Sequence, residues 1–219
     1  MNSILAFDSI ELQFDDRNIL SSVAMQCTVG EVVGLLGRNG SGKSSLMKVV
    51  FGSLRSNYSS VRINNQSLLT HPDLQMEINY LPQENLIPSY LTIRQSIRCF
   101  AIDQEKLIDA LPITENWLDL RPSQCSGGSL RLLETLIILY AKGLFCILDE
   151  PFTGLMPVHI ETIKRIMTEQ QKVKGIIITD HLYKHVVEIA DRLYVLANGK
   201  TYPITQSDQL IKYGYLNEE

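Results

Sequence analysis

Val32-Val33-Gly34-Leu35-Leu36-Gly37-Arg38-Asn39-Gly40-Ser41-Gly42-Lys43-Ser44 is an apolar run that breaks into a glycine-rich loop. The run from Val32 to Leu36 has the uninterrupted hydrophobicity of a strand covered on both faces. The loop that follows fits G-x-x-x-x-G-K-[ST] at each defined position, and Ser44 to Phe51 reads on as a helix. Strand, loop and helix in that order form a phosphate cradle. Glycines let successive N–H groups turn inward, and the helix N-terminus adds positive potential at the same point. Lys43 would reach the β- and γ-phosphates of a nucleoside triphosphate, and the Ser44 hydroxyl would ligate Mg2+. A glycine-rich turn could match by accident, but the flanking strand and helix make that the poorer reading.

Working outward, further buried-strand runs lie at Leu144 to Leu148, Ile176 to Thr179 and Leu193 to Ala197. Between them, residues 128–142, 158–171 and 182–190 carry helical spacing. Strands alternating with helices of that length imply right-handed crossovers and a parallel sheet covered on both faces. The fold class is therefore α/β: a P-loop NTPase core with a mainly parallel sheet. Ahead of it, alternation in Ile4 to Phe14, a turn at Asp15 to Asn18 and a second strand near Ile19 to Thr28 predict an N-terminal antiparallel β subdomain. Residues 87–122 read as a small α-helical insertion, with helices near 91–100 and 103–111. Asn198-Gly199 marks a hairpin, and a short final helix is expected around Ser207 to Tyr213. With no linker or repeat, residues 1–219 are expected to form a single domain.

Composition limits the partners. The chain is 45% hydrophobic and 20% charged, enough apolar residues for a substantial core. A net charge of −4 argues against nucleic acid as the main ligand. The most apolar stretch, Leu130 to Leu148, is interrupted by Arg131, Glu134 and Lys142, so no direct membrane insertion is expected. Met1-Asn2-Ser3-Ile4 lacks the pattern of a secretory leader. Cys27, Cys99, Cys125 and Cys146 show no metal-ligand spacing and read as reduced thiols.

Leu144-Phe145-Cys146-Ile147-Leu148-Asp149-Glu150 is an apolar strand ending in two acids. Beside a phosphate loop, Asp149 can hold Mg2+, and Glu150, pointing elsewhere, can polarise an attacking water. Alone, the pair also reads as a solvated strand end; the phosphate loop shifts the balance towards catalysis.

Cys125-Ser126-Gly127-Gly128-Ser129, ahead of a long helical stretch, resembles the L-S-G-G-Q signature of ABC ATPases. Around it, Gln83 in Tyr80-Leu81-Pro82-Gln83-Glu84 resembles the glutamine-loop residue, and His181 in Thr179-Asp180-His181 resembles the switch histidine. Phe14 is placed like the aromatic that stacks on adenine, although a strand phenylalanine is more often core. The order of parts is similar to an ABC nucleotide-binding domain along nearly the whole chain. The resemblance implies ATP and Mg2+ as cofactors. ATP would be held by Phe14, by Gly37, Arg38, Asn39, Gly40, Ser41, Gly42, Lys43, Ser44 and Ser45, and by Ser126, Gly127 and Gly128 of a second subunit. Mg2+ would be held by Ser44, Gln83 and Asp149, with Glu150, His181 and Gln83 carrying hydrolysis.

The implied assembly is a dimer closed on two ATP molecules, a homodimer or a heterodimer with a related ATPase, driving a separate integral membrane subunit from the cytoplasmic face. The same motor parts would serve a soluble ABC ATPase of cofactor assembly, or a nucleotide-binding regulator with weak turnover. Three positions depart from the pattern: Cys125 stands where leucine is usual, Ser129 where glutamine or another long polar residue is usual, and Met156 where aspartate is usual. Slower or less cooperative hydrolysis is the expected consequence. Trp117 is expected to be a packing residue of the insertion.

Overall fold

The computed structural model describes residues 2–206 together with Gln209, Leu210, Tyr213 and Tyr215. Two sheets are stacked. The first is antiparallel, in the order β2-β1-β4-β5, from β1 (Ile4–Phe14), β2 (Arg17–Thr28), β4 (Tyr58–Ile63) and β5 (Gln66–Ser67). The second has the order β10-β9-β3-β8-β7-β6, from β3 (Val32–Leu36), β6 (Ile78–Leu81), β7 (Phe145–Asp149), β8 (Gly175–Thr179), β9 (Arg192–Ala197) and β10 (Lys200–Ile204). All its neighbours pair in parallel except β9 with β10, the hairpin expected at Asn198-Gly199.

The apolar runs are uninterrupted because alternate residues feed two different cores. Val33, Leu35, Phe145, Ile147 and Ile177 point into a layer shared with the antiparallel sheet and with α1 (Lys43–Phe51). Val32, Leu36, Cys146, Leu148, Ile176 and Ile178 point into a second layer covered by α4 (Gly127–Tyr140), α5 (Pro157–Gln171) and α6 (Tyr183–Ile189).

Strands β4 and β6 fall outside the runs read from sequence. β4 is only intermittently buried, and β6 is four residues long with Asn79 in it, so neither carries a long apolar signature. Yet β6 pairs with β7, Tyr80 opposite Ile147, and carries the chain to Gln83. Residues 87–122 hold α2 (Ile93–Cys99), α3 (Gln104–Ala110) and a 3-10 turn (Pro112–Trp117), and a second such turn (Pro122–Gln124) begins at their end. α2 opens with a capping box, in which Thr92 and Gln95 satisfy each other's main-chain N–H. Ile87, Ile93, Ile97, Leu107 and Leu118 join the α4–α5 core, with Trp117 packed against it, so this segment shares the main core. The final helix expected over Ser207 to Tyr213 lies largely outside the described residues.

Candidate functional site

Because β3, β6, β7 and β8 run parallel, their carboxyl ends meet at one edge of the sheet. Four stretches distant in sequence converge there: the loop after Leu36, Gln83 after β6, Asp149-Glu150 at the end of β7, and Asp180-His181 after β8. This is where ligands of open α/β sheets bind. Phe14, Ile19, Asn39, Gly40, Gly42, Lys43, Ser44, Ser45, Gln83, Glu150 and His181 line a cleft of about 440 Å³. Phe14 is 46% exposed at its rim, so this strand phenylalanine is not core. Gly37, Arg38 and Ser41 form the other side of the loop and face Val195 to Asn198.

The loop is pre-shaped. Gly42 caps α1 with φ of 102°, a conformation a side chain rarely adopts, and its absent Cβ leaves room for Ile19. Lys43 Nζ donates to the main-chain oxygens of Gly37 at 2.7 Å and Arg38 at 3.2 Å, bending its ammonium back over the loop. Burial lowers the Lys43 pKa, and the carboxylates of Asp149 and Glu150 oppose that shift.

Asp149 is 1% exposed. Burial raises its pKa and Glu150 adds to the rise, against the hydroxyls of Ser44 and Tyr80. Tyr80 donates to Asp149 Oδ2 at 3.3 Å. Oδ1 is buried and accepts no well-formed hydrogen bond among the described residues. A buried, unsatisfied carboxylate oxygen beside a serine hydroxyl and a phosphate loop fits a divalent cation.

Glu150 turns away from Asp149 because its backbone is left-handed, φ 57°, an unfavourable conformation for a residue with a Cβ. Its N–H is held by the Thr179 carbonyl at 2.8 Å. Its Oε2 accepts from Gln83 Nε2 at 3.1 Å and from Thr153 Oγ1 at 3.2 Å, with His181 Nδ1 at 3.8 Å. Glutamine, histidine and glutamate thus meet at one oxygen facing the cleft.

Other groups in this frame have no counterpart in the motif reading. Asp180 is buried; its two oxygens accept from Phe152 N–H at 2.8 Å and Leu182 N–H at 2.9 Å, pinning the segment after Glu150 to the end of β8. Thr153 and Tyr80 touch the two acids directly. Arg131 and Glu134 sit buried in α4. Two charges at i,i+3 in an otherwise apolar helix were the available signal, since such charges are buried only with partners.

Ser126, Gly127 and Gly128 do not line this cleft. Ser126 is the N-cap of α4, accepting from the Ser129 N–H at 3.1 Å and donating to the Ser129 hydroxyl at 2.8 Å. A Cβ on Gly128 would lie 2.5 Å from the Gly154 carbonyl oxygen, whereas one on Gly127 would meet nothing within 4 Å. Gly128→Ala should therefore cost about 1–3 kcal/mol through overpacking, and Gly127→Ala much less. At roughly 2–4 °C per kcal/mol for a chain of this size, thermal unfolding resolves the two; equal melting temperatures would contradict the close contact.

The family model described as ABC transporter matches residues 20–153. The chain belongs to the ABC transporter family. It is 31% identical to the lipopolysaccharide export system ATP-binding protein LptB of Haemophilus influenzae, over 99% of this chain and 98% of that protein. It is 27% identical to the high-affinity branched-chain amino acid transport ATP-binding protein BraG of Pseudomonas aeruginosa, over 90% of each. Among solved structures, an ATP-binding subunit of an ABC transporter superposes with a TM-score of 0.83, at 24% identity, over 99% of this chain and 95% of that one. A nucleotide-free ATP-binding cassette gives 0.81 at 21% identity, over 99% and 96%. Those two likenesses show the fold. ATP is the ligand of the family. No helix of the described residues is long and apolar enough to cross a membrane.

Proposed function

We propose that this chain is the ATP-hydrolysing subunit of an ABC transporter and works as a dimer closed on two ATP molecules. The observation that carries the reading is the convergence of Gln83, Glu150 and His181 in one cleft with Lys43 and Ser44. The adenine would rest against Phe14, and the triphosphate would run along residues 37–45 towards Glu150. Lys43 swings from the loop carbonyls to the β- and γ-phosphates, replacing neutral acceptors with charged ones. Glu150 accepts a proton from the water that attacks the γ-phosphorus; the bond to the β–γ bridging oxygen breaks, giving ADP and phosphate. Gln83 and His181 orient that water and the γ-phosphate. Mg2+, held by Ser44, Asp149 and Gln83, would neutralise charge on the β- and γ-phosphates.

The Ser126 end of α4 lies outside the chain's own cleft, which is what a γ-phosphate contact supplied across a dimer requires. Cleavage then removes the group that bridges the two chains, and the clamp opens. The machine would act at the inner face of the cell membrane through a separate spanning subunit, which also sets the cargo. LptB and BraG, at comparable identity, are named for different cargoes. Co-purification with an integral membrane protein, together with ATP-stimulated dimer formation, tests the assembly; isolation as part of a wholly soluble complex would favour a role outside transport.

Met156 favours slow turnover within this reading. It is 58% exposed at the N-cap of α5 and caps no N–H with its side chain. Met156→Asp should do two things. It should cap α5, adding about 1 kcal/mol, and it should offer the dimer a charged hydrogen-bond acceptor, raising the ATPase rate or its cooperativity. A variant with a higher melting temperature but unchanged kinetics would remove Met156 as the cause of slow hydrolysis.

A further inference from the structure

We infer that Arg131 is a positioning residue that sets the backbone of Glu150 and couples it to the glutamine loop and to the signature helix. The inference rests on the ATPase reading above and extends it to residues outside the cleft. Arg131 is 8% exposed, and its guanidinium donates to three main-chain carbonyls: Glu150 from Nε at 3.1 Å, Pro82 from Nη1 at 2.7 Å, and Asp149 from Nη2. These carbonyls belong to both acids and to the residue immediately before Gln83.

Glu134, one turn further along α4 and fully buried, lies 3.7 Å from Arg131 Nη1. One of its oxygens accepts from the N–H groups of Leu86 at 2.7 Å and Ile87 at 3.0 Å. A single face of α4 therefore grips the chain on both sides of Gln83 and behind Glu150. The helix begins at Ser126, the group that would sense the γ-phosphate of the other subunit.

Packing alone does not call for this arrangement. Ten of the fourteen residues of α4 are buried and eight of those are neither Arg131 nor Glu134, so the helix is anchored without them. Well-packed apolar side chains hold a helix on a sheet at no charge-desolvation cost, so a buried pair is explained by the groups it fixes. Here it fixes backbone carbonyls at the ends of β6 and β7, and it does so beside the left-handed φ of Glu150. A rigid planar fork can hold three carbonyls at once; a lysine ammonium is a compact point charge on a flexible stem.

The test is Arg131→Lys in the full chain, measured by steady-state ATPase kinetics, equilibrium binding of a fluorescent ATP analogue and thermal unfolding. The expected result is a folded protein with unchanged nucleotide affinity, KM for ATP within about threefold of wild type and kcat lowered about tenfold or more, the scale of losing charged hydrogen bonds at a reacting centre. The double variant Arg131→Lys/Glu150→Gln should be no slower than Glu150→Gln alone, because both act through the same carboxylate. Wild-type kcat in Arg131→Lys, or losses that multiply in the double variant, would overturn the inference while leaving the ATPase reading intact. A wild-type chain without turnover would overturn both. If Arg131→Lys does not fold, Glu134→Gln, which keeps size and an acceptor oxygen, reads the same link: lowered kcat at constant KM supports it, unchanged kcat overturns it.

Discussion

Lys43→Ala is expected to weaken ATP binding by about 3 kcal/mol or more, roughly a hundredfold in Kd, on the scale of two charge-assisted hydrogen bonds. The free protein loses little in exchange. Among the described residues the Lys43 ammonium donates hydrogen bonds to the carbonyl oxygens of Gly37 and Arg38, both in the loop, where water can replace it. The melting temperature without nucleotide should therefore change far less than the affinity. Lys43→Arg should not restore binding, since the longer planar fork does not fit a loop closed over a single ammonium. Titration calorimetry with ATP decides the matter. Wild-type affinity in Lys43→Ala would remove the phosphate role of the loop, and with it every functional statement about the cleft.

Glu150→Gln should leave ATP affinity intact and cut turnover by roughly 10²–10⁴-fold, the usual contribution of a general base. The substitution preserves shape. Gln83 Nε2 and Thr153 Oγ1 both donate to Glu150 Oε2, and the amide oxygen of a glutamine can accept from the same pair. The left-handed backbone at position 150 is equally unfavourable for both side chains, so stability should be nearly unchanged. On the clamp proposed above, blocked hydrolysis would leave the γ-phosphate between the two chains, and an ATP-dependent dimer should accumulate that the wild type would form only transiently. Light scattering in the presence of ATP measures it directly. A strictly monomeric Glu150→Gln protein at saturating ATP would count against the clamp, even if turnover were lost.

The place of Lys43 at the start of α1 was legible in the chain, because a strand, a glycine loop and a helix are contiguous and the geometry they impose is local. Asp149 and Glu150 were legible as a pair at a strand end, and both strand and acids stand where the apolar run placed them. What separates their roles is not local: the left-handed turn of Glu150 sends its carboxylate to Gln83 and His181, while Asp149 stays buried against Tyr80. The strand leading to Gln83 escaped the hydrophobic reading because Ile78–Leu81 is short and gains its stability from pairing with β7. Arg131 and Glu134 look, in sequence, like interruptions in an apolar segment. Their partners are main-chain atoms of residues far along the chain, and main-chain partners leave no trace in residue identity.

The sequence by itself therefore determined the glycine loop between β3 and α1, the parallel α/β core and the acids at the end of β7. Each follows from short-range rules: side-chain alternation, glycine torsions and the spacing of charged groups. Only the tertiary structure decided which side chains share the cleft, that Ser126 stands outside it, and that the signature helix grips both acids through a buried guanidinium. Those relations arise where parallel strands bring distant segments to one edge, and no pattern along the chain encodes the distance between two loops.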